Sequence, residues 1–228
     1  MATSGTTDFT LTVDDIINEA YELLGVVPSA LTGYDLRTAR RSLSLLMYEF
    51  ANRNVWLYSR TQDTFNTVDG QAVYTLDADT NDVMHMTVTV NGSDIELQPY
   101  SYSDYSRIPN KAQEGRPVYA YVERNRDNVK LTMWPVPDGV YTIKFQKVRK
   151  IEDVGVYTNN LDVPVRVLPA IVANLALKIA MKRPALVQRP DGSSRLPEIK
   201  EEAMLQMGWA MEDDVERQSL FIKPEFGR

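Results

Sequence analysis

The spacing of apolar residues changes twice along the chain, and this change limits the possible folds more than any other feature. Residues 12–24 and 35–54 repeat apolar side chains every three or four positions, which is typical of helices buried on one side. Between residues 57 and 150 the period drops to two and turn-forming pairs recur, which indicates strands. After Ile151 the helical period returns. Helices on both sides of a run of strands predict an α+β fold.

We predict a helical bundle built from both ends of the chain, with an inserted antiparallel β-sandwich or barrel-like domain. The N-terminal helical part is expected at 1–56, the β-domain at 57–150, the C-terminal helices that complete the helical domain at 151–216, and an extended arm at 217–228. The 228 residues are enough for one large or two small domains with a buried core.

The helices have recognisable starts and faces. Thr12 is expected to cap the first helix, and Asp35 to cap the second, because short polar side chains accept hydrogen bonds from the free N–H groups there. A third helix at 165–181 is apolar on most faces, with Asn174, Lys178 and Lys182 as one narrow polar stripe. A last helix is predicted at 198–216.

The middle of the chain has the alternation of strands. We predict strands at 57–65, 72–76, 83–90, 95–97, 118–122, 129–133 and 140–148, and a short helical turn within 100–108. The pairs Asp69-Gly70 and Asn91-Gly92 predict hairpin turns, since both tolerate positive φ at low cost. In the hairpin at 118–133, Tyr119 and Tyr121 are expected on the face opposite the apolar core.

The residue types on which most catalytic and metal sites depend are scarce. The chain has no cysteine and one histidine, His85, which lies on a predicted strand. Thiolate nucleophiles and zinc–thiolate sites are therefore excluded, and a Ser-His-Asp site would have to use His85. We predict no catalytic, cofactor or metal site, and keep a hydrolase that uses His85 as a minor alternative.

One segment resembles the start of a calcium loop. DADTND, at 77–82, places oxygen ligands at positions 77, 79 and 81. It has Asp82 where an EF-hand needs glycine and Val88 where it needs glutamate. A polar turn between strands is the better interpretation.

Charged residues are segregated along the chain. Segment 198–216 carries seven acids and one lysine. Such separation can mark a charge-complementary contact between copies of one protein. The predicted subunit-interface residues are the basic groups of the second helix and the last strand, Arg37, Arg40, Arg41, Lys144 and Lys147.

The net charge of −6 argues against tight binding of nucleic acid over the whole surface. An alternative function is still a nucleic-acid-binding module, in which Tyr119, Tyr121 and Trp134 stack on bases beside the basic strand. The most apolar helical stretch, 168–181, is shorter than the about 20 residues that a spanning helix needs, and residues 1–10 lack a signal-peptide pattern. No membrane partner is expected.

The C-terminal residues QSLFIKPEFGR combine helix-breaking and apolar side chains. Pro224 and Gly227 disfavour a helix. Four large apolar groups are unusual in a solvated terminus, so this tail is expected either to dock on its own domain or to order on a partner. They are Leu220, Phe221, Ile222 and Phe226.

Several short patches follow one another in a recognisable order. They are TVDDIINEAYELLG at 12–25, ANRNVW at 51–56, FNTVDGQAVYTLDAD at 65–79, GRP at 115–117, LTMWPVPDG at 131–139 and LDVPVRVLPAIVANLALKIA at 161–180. In this order they resemble the head-to-tail adaptor proteins of short-tailed bacteriophages, the tail tubular protein A-like and related connector families. The resemblance covers roughly residues 12–182.

The resemblance implies a structural virion protein of the neck that is not an enzyme and is assembled in the host cytoplasm. Such adaptors form twelve-membered rings under the portal and carry the tail nozzle, while DNA passes through the centre without sequence-specific binding. In that setting Leu220, Phe221, Ile222 and Phe226 are the expected portal contacts. An acidic channel wall would repel DNA and let it slide.

Overall fold

The computed structural model describes residues 9–52 and 59–212, with the side chain of Asn52 left out, and the chain divides into two compact units. One unit combines Met1–Leu57 with Ile151–Arg228, and the other is Tyr58–Lys150. Five α-helices are described: α1 (Val13–Glu22), α2 (Gly33–Asn52), α3 (Tyr102–Ser106), α4 (Leu168–Lys182) and α5 (Leu196–Glu212). All but α3 belong to the first unit.

The second unit contains eight strands in two sheets. The strands are β1 (Arg60–Asn66), β2 (Val73–Thr75), β3 (Thr80–Val90), β4 (Ser93–Glu96), β5 (Gln98–Tyr100), β6 (Tyr119–Arg124), β7 (Val129–Trp134) and β8 (Thr142–Arg149). One sheet has the order β1-β8-β3-β4 and the other β2-β7-β6-β5. The predicted α+β class is therefore confirmed.

Both N-terminal helices begin with the same Thr-x-x-Asp motif. The Thr12 hydroxyl accepts a hydrogen bond from the Asp15 N–H at 3.2 Å, and the Asp15 carboxylate accepts one from the Thr12 N–H at 3.0 Å. Thr32 and Asp35 repeat this capping box at 3.3 and 3.0 Å. The prediction that Asp35 caps α2 is therefore wrong: Thr32 takes that position, and Asp35 reaches back from inside the first turn.

Helix α4 contacts α1, α2 and α5. Its predicted polar stripe points at the neighbouring helices. The Asn174 amide donates to the Ala203 carbonyl of α5 at 3.2 Å, and the Lys178 ammonium contacts Glu49 of α2 at 2.6 Å. Nine of its side chains are buried: Leu168, Ala170, Ile171, Val172, Ala173, Leu175, Ala176, Ile179 and Ala180. Helix α4 is apolar on most sides because α1, α2 and α5 all pack against it. No helix within residues 9–52 and 59–212 has the length and hydropathy needed to cross a membrane.

Two details of the strand region differ from expectation. Asn91 and Gly92 have φ of 49° and 78° and join β3 to β4, so this predicted hairpin is confirmed. Gly70 also has a positive φ, but the strands on either side of it, β1 and β2, lie in different sheets. The predicted Asp69-Gly70 hairpin is wrong, because the alternation that reveals a strand does not reveal its partner.

The second sheet is mixed, whereas an antiparallel domain was expected. The predicted strand at 95–97 ends as β4 at Glu96, and a new strand, β5, pairs in parallel with β6. The segment between β5 and β6 contains α3 and makes the crossover that a parallel pair requires. Apolar residues of both sheets share one buried cluster: Tyr74, Leu76, Val83, Met86, Val88, Leu97, Ala120, Val129, Leu131, Met133, Ile143 and Phe145.

Candidate interaction surfaces

The three arginines of α2 do not share one environment. Arg37 and Arg41 are exposed on the side of α2 away from its buried stripe. The Arg37 Nε donates to the Gly33 carbonyl at 3.1 Å, so this side chain lies along the first turn of α2. Arg40 is half-buried, with its guanidinium carbon 5.4 Å from the centre of the Tyr157 ring. Arg37 and Arg41 therefore lie together on the surface, and Arg40 packs within its own unit.

Large apolar side chains surround the two exposed arginines. Tyr34 is 62% exposed, Leu45 54% and Tyr48 62%. Together with Arg37 and Arg41 they recur every three or four residues, so they form one outward stripe of α2. This helical period predicts the buried stripe of α2, which consists of Ala39, Leu43, Leu46, Met47 and Phe50. The same period also identifies the exposed one.

Helix α5 also has an apolar exposed side. Ala203, Met207 and Ala210 are its buried residues. Trp209 is 58% exposed and Leu205 47%. Exposed aromatic and aliphatic groups of this size on one helix are typical of a protein–protein contact.

Lys144 is paired within its own sheet. Its ammonium lies 2.8 Å from a carboxylate oxygen of Asp94, which also accepts a hydrogen bond from the Thr89 hydroxyl at 2.5 Å. Both contacts stabilise the charged carboxylate and therefore lower the pKa of Asp94. The hydrogen bond from Lys144 lowers it more than the one from Thr89.

Lys147 is nearly buried among three carboxylates of the strand unit. Its ammonium lies 3.0 Å from Asp63, 3.2 Å from Asp79 and 3.8 Å from Asp77. Burial by itself would lower the pKa of Lys147, but the hydrogen bonds to Asp63 and Asp79 outweigh it and leave this pKa raised. Lys147 therefore fills the position between the acids of the segment that resembles a calcium loop.

Asp35 forms a buried charged contact that the sequence analysis missed. Its side chain is almost fully buried, and its carboxylate pairs with the Arg183 guanidinium at the end of α4. Burial favours the neutral acid, but the hydrogen bonds from Thr32 and the charge of Arg183 outweigh it, so the pKa of Asp35 is lowered. The Thr-x-x-Asp motif was the available signal for the cap, whereas Arg183 is about 150 residues away in sequence and left no local pattern.

The aromatic residues of the strand unit stack on one another. The rings of Tyr100 and Tyr119 are 4.1 Å apart, those of Tyr119 and Trp134 5.7 Å, and those of Tyr105 and Tyr121 5.8 Å. The Trp134 indole N–H donates to the Asn110 carbonyl at 3.1 Å. The side chains that would stack on bases in a nucleic-acid-binding module thus already have aromatic neighbours.

His85 is an exposed residue at a register irregularity of β3, between Met84 and Met86. Within the described residues it has no hydrogen bond to a serine or an aspartate. The predicted portal contacts Leu220, Phe221, Ile222 and Phe226 lie outside the described residues.

A comparison with protein families identifies a related family. The model of a family described as SU10 adaptor protein matches residues 5–218. The chain belongs to the SU10 adaptor protein family. A comparison with curated proteins finds no match.

Membership of the SU10 adaptor family identifies a phage structural adaptor, a component of the virion that interacts with other phage structural proteins. The resemblance to head-to-tail adaptors is confirmed at this level. The family is one of structural proteins, in agreement with the prediction that the chain is not an enzyme.

Proposed function

We propose that this SU10 adaptor family member forms a ring in the neck of the virion that connects the portal to the tail nozzle and lines the DNA channel. The observation that carries this proposal is the family match over residues 5–218. The exposed apolar and charged sides of α2 and α5 support it, because a ring subunit must present contact surfaces to its neighbours.

The finer features follow the resemblance found in the sequence. The ring has twelve copies, the phage has a short tail with a tail tubular protein A-like neck, and the protein is assembled in the host cytoplasm. DNA passes through without sequence-specific binding, in keeping with the net charge of −6.

Within this proposal each part of the chain has a task. The helices of 1–56 and 151–216 form one helical bundle, 57–150 is an inserted β-sandwich-like domain, and 217–228 is an arm. The arm contacts the portal through Leu220, Phe221, Ile222 and Phe226.

The subunit interface of the proposal rests first on Arg37 and Arg41. Both are exposed on one side of α2. Arg40, Lys144 and Lys147 remain predicted interface residues, although each already has a partner within its own unit.

The direct test is to mix the purified protein with the portal protein of the same phage and determine particle mass and rotational symmetry by electron microscopy. We expect a complex in which a twelve-fold layer is added to the portal. A portal that shows no added mass at micromolar concentrations of both proteins would contradict the proposal.

A further inference from the structure

The outward side of α2 carries a basic stripe. It consists of Tyr34, Arg37, Arg41, Leu45 and Tyr48, which recur at spacings of three, four, four and three. At the rise of an α-helix this stripe is about 21 Å long. Arg41 has no ion pair within residues 9–52 and 59–212, so its charge is available to a partner. We call this stripe the basic face.

The outward side of α5 carries an acidic stripe of the same length. It consists of Glu198, Glu202, Leu205, Trp209 and Glu212, at spacings of four, three, four and three. Glu201 lies beside it and, like Glu212, has no ion pair in the described part of the chain, whereas Glu198 pairs with Arg189 at 2.7 Å. We call this stripe the acidic face.

The two faces have their charged and apolar parts in the same order. On α2 the charged residues Arg37 and Arg41 come before Leu45 and Tyr48. On α5 the charged residues Glu198 and Glu202 come before Leu205 and Trp209. In a parallel arrangement Arg37 can lie beside Glu198 and Arg41 beside Glu202. The same register brings Leu45 near Leu205 and Tyr48 beside Trp209, so opposite charges meet in the first half and apolar side chains in the second. In the antiparallel arrangement Arg37 would face Trp209, and Leu45 would face Glu202.

We propose that the basic face of one copy docks in parallel on the acidic face of the next copy. The occupant is a second copy because the two faces complement each other in charge, in length and in the order of their parts, and both are exposed on one chain. A contact between unlike faces is heterologous, which allows a ring to close. This inference rests on the proposed ring and adds which surfaces form it.

Cysteine cross-linking tests the pairing and its direction. The chain has no cysteine, so introduced thiols are the only ones present. The test pair is Tyr48→Cys with Glu212→Cys, whose positions lie within one helical turn of each other only in the parallel arrangement. The matched control is Tyr48→Cys with Glu198→Cys, whose positions would then be about 16 Å apart along the helices. Each double variant is treated with a short bis-maleimide, alone and after mixing with the portal.

The expected result is a ladder of covalent dimers, trimers and larger species for Tyr48→Cys/Glu212→Cys, and monomers for each single variant. Covalent dimers from Tyr48→Cys alone would overturn the heterologous contact. A ladder from the control pair but not from the test pair would overturn the parallel direction. No ladder from either pair, with or without portal, would overturn the docking itself.

Charge reversal tests the same contact without cysteines. Arg37→Glu with Arg41→Glu should weaken self-association about tenfold, and so should Glu201→Lys with Glu202→Lys, whereas combining all four should restore it. Arg107→Glu with Arg126→Glu, at two exposed sites of the strand unit, is the control for net charge and should change nothing. Failure of the combined variant to recover would overturn the proposed pairing of these charges.

Portal binding is measured separately on the unaltered protein, so that the two proposals can fail independently. Portal binding with no effect of the variants on self-association would leave the adaptor function standing and remove this interface. Self-association that follows the variants without any portal binding would do the reverse.

Discussion

At the scale of single residues, two buried charges illustrate how each unit is held together. Asp35 is 4% exposed and meets Arg183, and the Lys147 side chain is 11% exposed and meets three acids. A buried charge that loses its partner keeps the cost of having left water, so removing one member costs more than the pair contributes. Replacing Asp35 or Lys147 should therefore change the free energy of unfolding by an amount that is easily measured.

Replacing Asp35 with Asn should lower the free energy of unfolding by about 1–3 kcal/mol, because the Arg183 charge loses its counterion and a capping carboxylate is lost. Asp15→Asn is the matched control, since Asp15 has the same motif on α1 but is exposed; its loss should stay below about 1 kcal/mol. Urea unfolding measures both. Equal losses for the two variants would contradict a special role for the buried pair.

Replacing Lys147 with Met should destabilise the strand unit by about 1–3 kcal/mol at neutral pH, because Asp63 and Asp79 then face each other without a cation. The pKa of Asp63 is lowered in the folded protein, mainly by the hydrogen bond from Lys147. Its stabilisation is therefore present above the ordinary aspartate pKa and is lost as pH falls through the lowered one.

The difference between wild type and Lys147→Met should accordingly shrink in acid. Thermal unfolding between pH 7 and pH 2 measures it, with Lys144→Met, in a more exposed pair, as the control. A difference that stays constant over this range would show that packing of the lysine stem, not its charge, is what matters.

At the scale of elements, α2 has a buried side and an exposed side on one helix. Leu46 is 1% exposed, whereas its neighbour Leu45 is 54% exposed. The sequence period predicts the buried side, because a helix packed on one side needs a regular apolar stripe there. The same period is present on the exposed side, but only the exposure of Leu45 in the structure shows that this side is not covered by the other helices.

Leu46→Ala should cost about 2–5 kcal/mol of unfolding free energy, since a buried leucine leaves a cavity between packed helices. Leu45→Ala is the control one residue away and should change stability by less than about 0.5 kcal/mol. Chemical denaturation with circular dichroism compares them. Similar losses at both positions would mean that α2 is buried on both sides.

The sequence predicted helices and strands well and their connections poorly. The local spacing of apolar residues predicts the buried stripe from Ala39 to Phe50. The turn-forming pair Asn91-Gly92 predicts the hairpin between β3 and β4. Three other features depend on residues that are far apart in sequence, and no local pattern predicts them. They are the passage of the chain through Gly70 from one sheet to the other, the parallel pairing of β5 with β6, and the contact of Asp35 with Arg183.

At the scale of the whole molecule, the terminal arm gives a prediction about attachment. Deleting residues 218–228 should leave the melting temperature of the isolated protein nearly unchanged, because the arm is proposed to order on the portal. Portal binding, measured by co-sedimentation, should fall sharply. Replacing only Leu220, Phe221, Ile222 and Phe226 with serine should give the same loss with the chain length kept.

Two outcomes would count against this use of the arm. Portal attachment at wild-type affinity by the shortened protein would remove it from the contact. A large fall in melting temperature would show that these residues complete the protein's own core.

The helical unit is interrupted in sequence, and this imposes an order on synthesis. Helix α2 ends at Asn52, and its partner α4 begins at Leu168. At about 5–20 residues per second a ribosome needs on the order of ten seconds to make the intervening chain. During that time Leu43 and Leu46 have no α4 to cover them, whereas all residues of the strand unit, from Tyr58 to Lys150, are made before α4 begins. The part of the protein made second can therefore finish folding first.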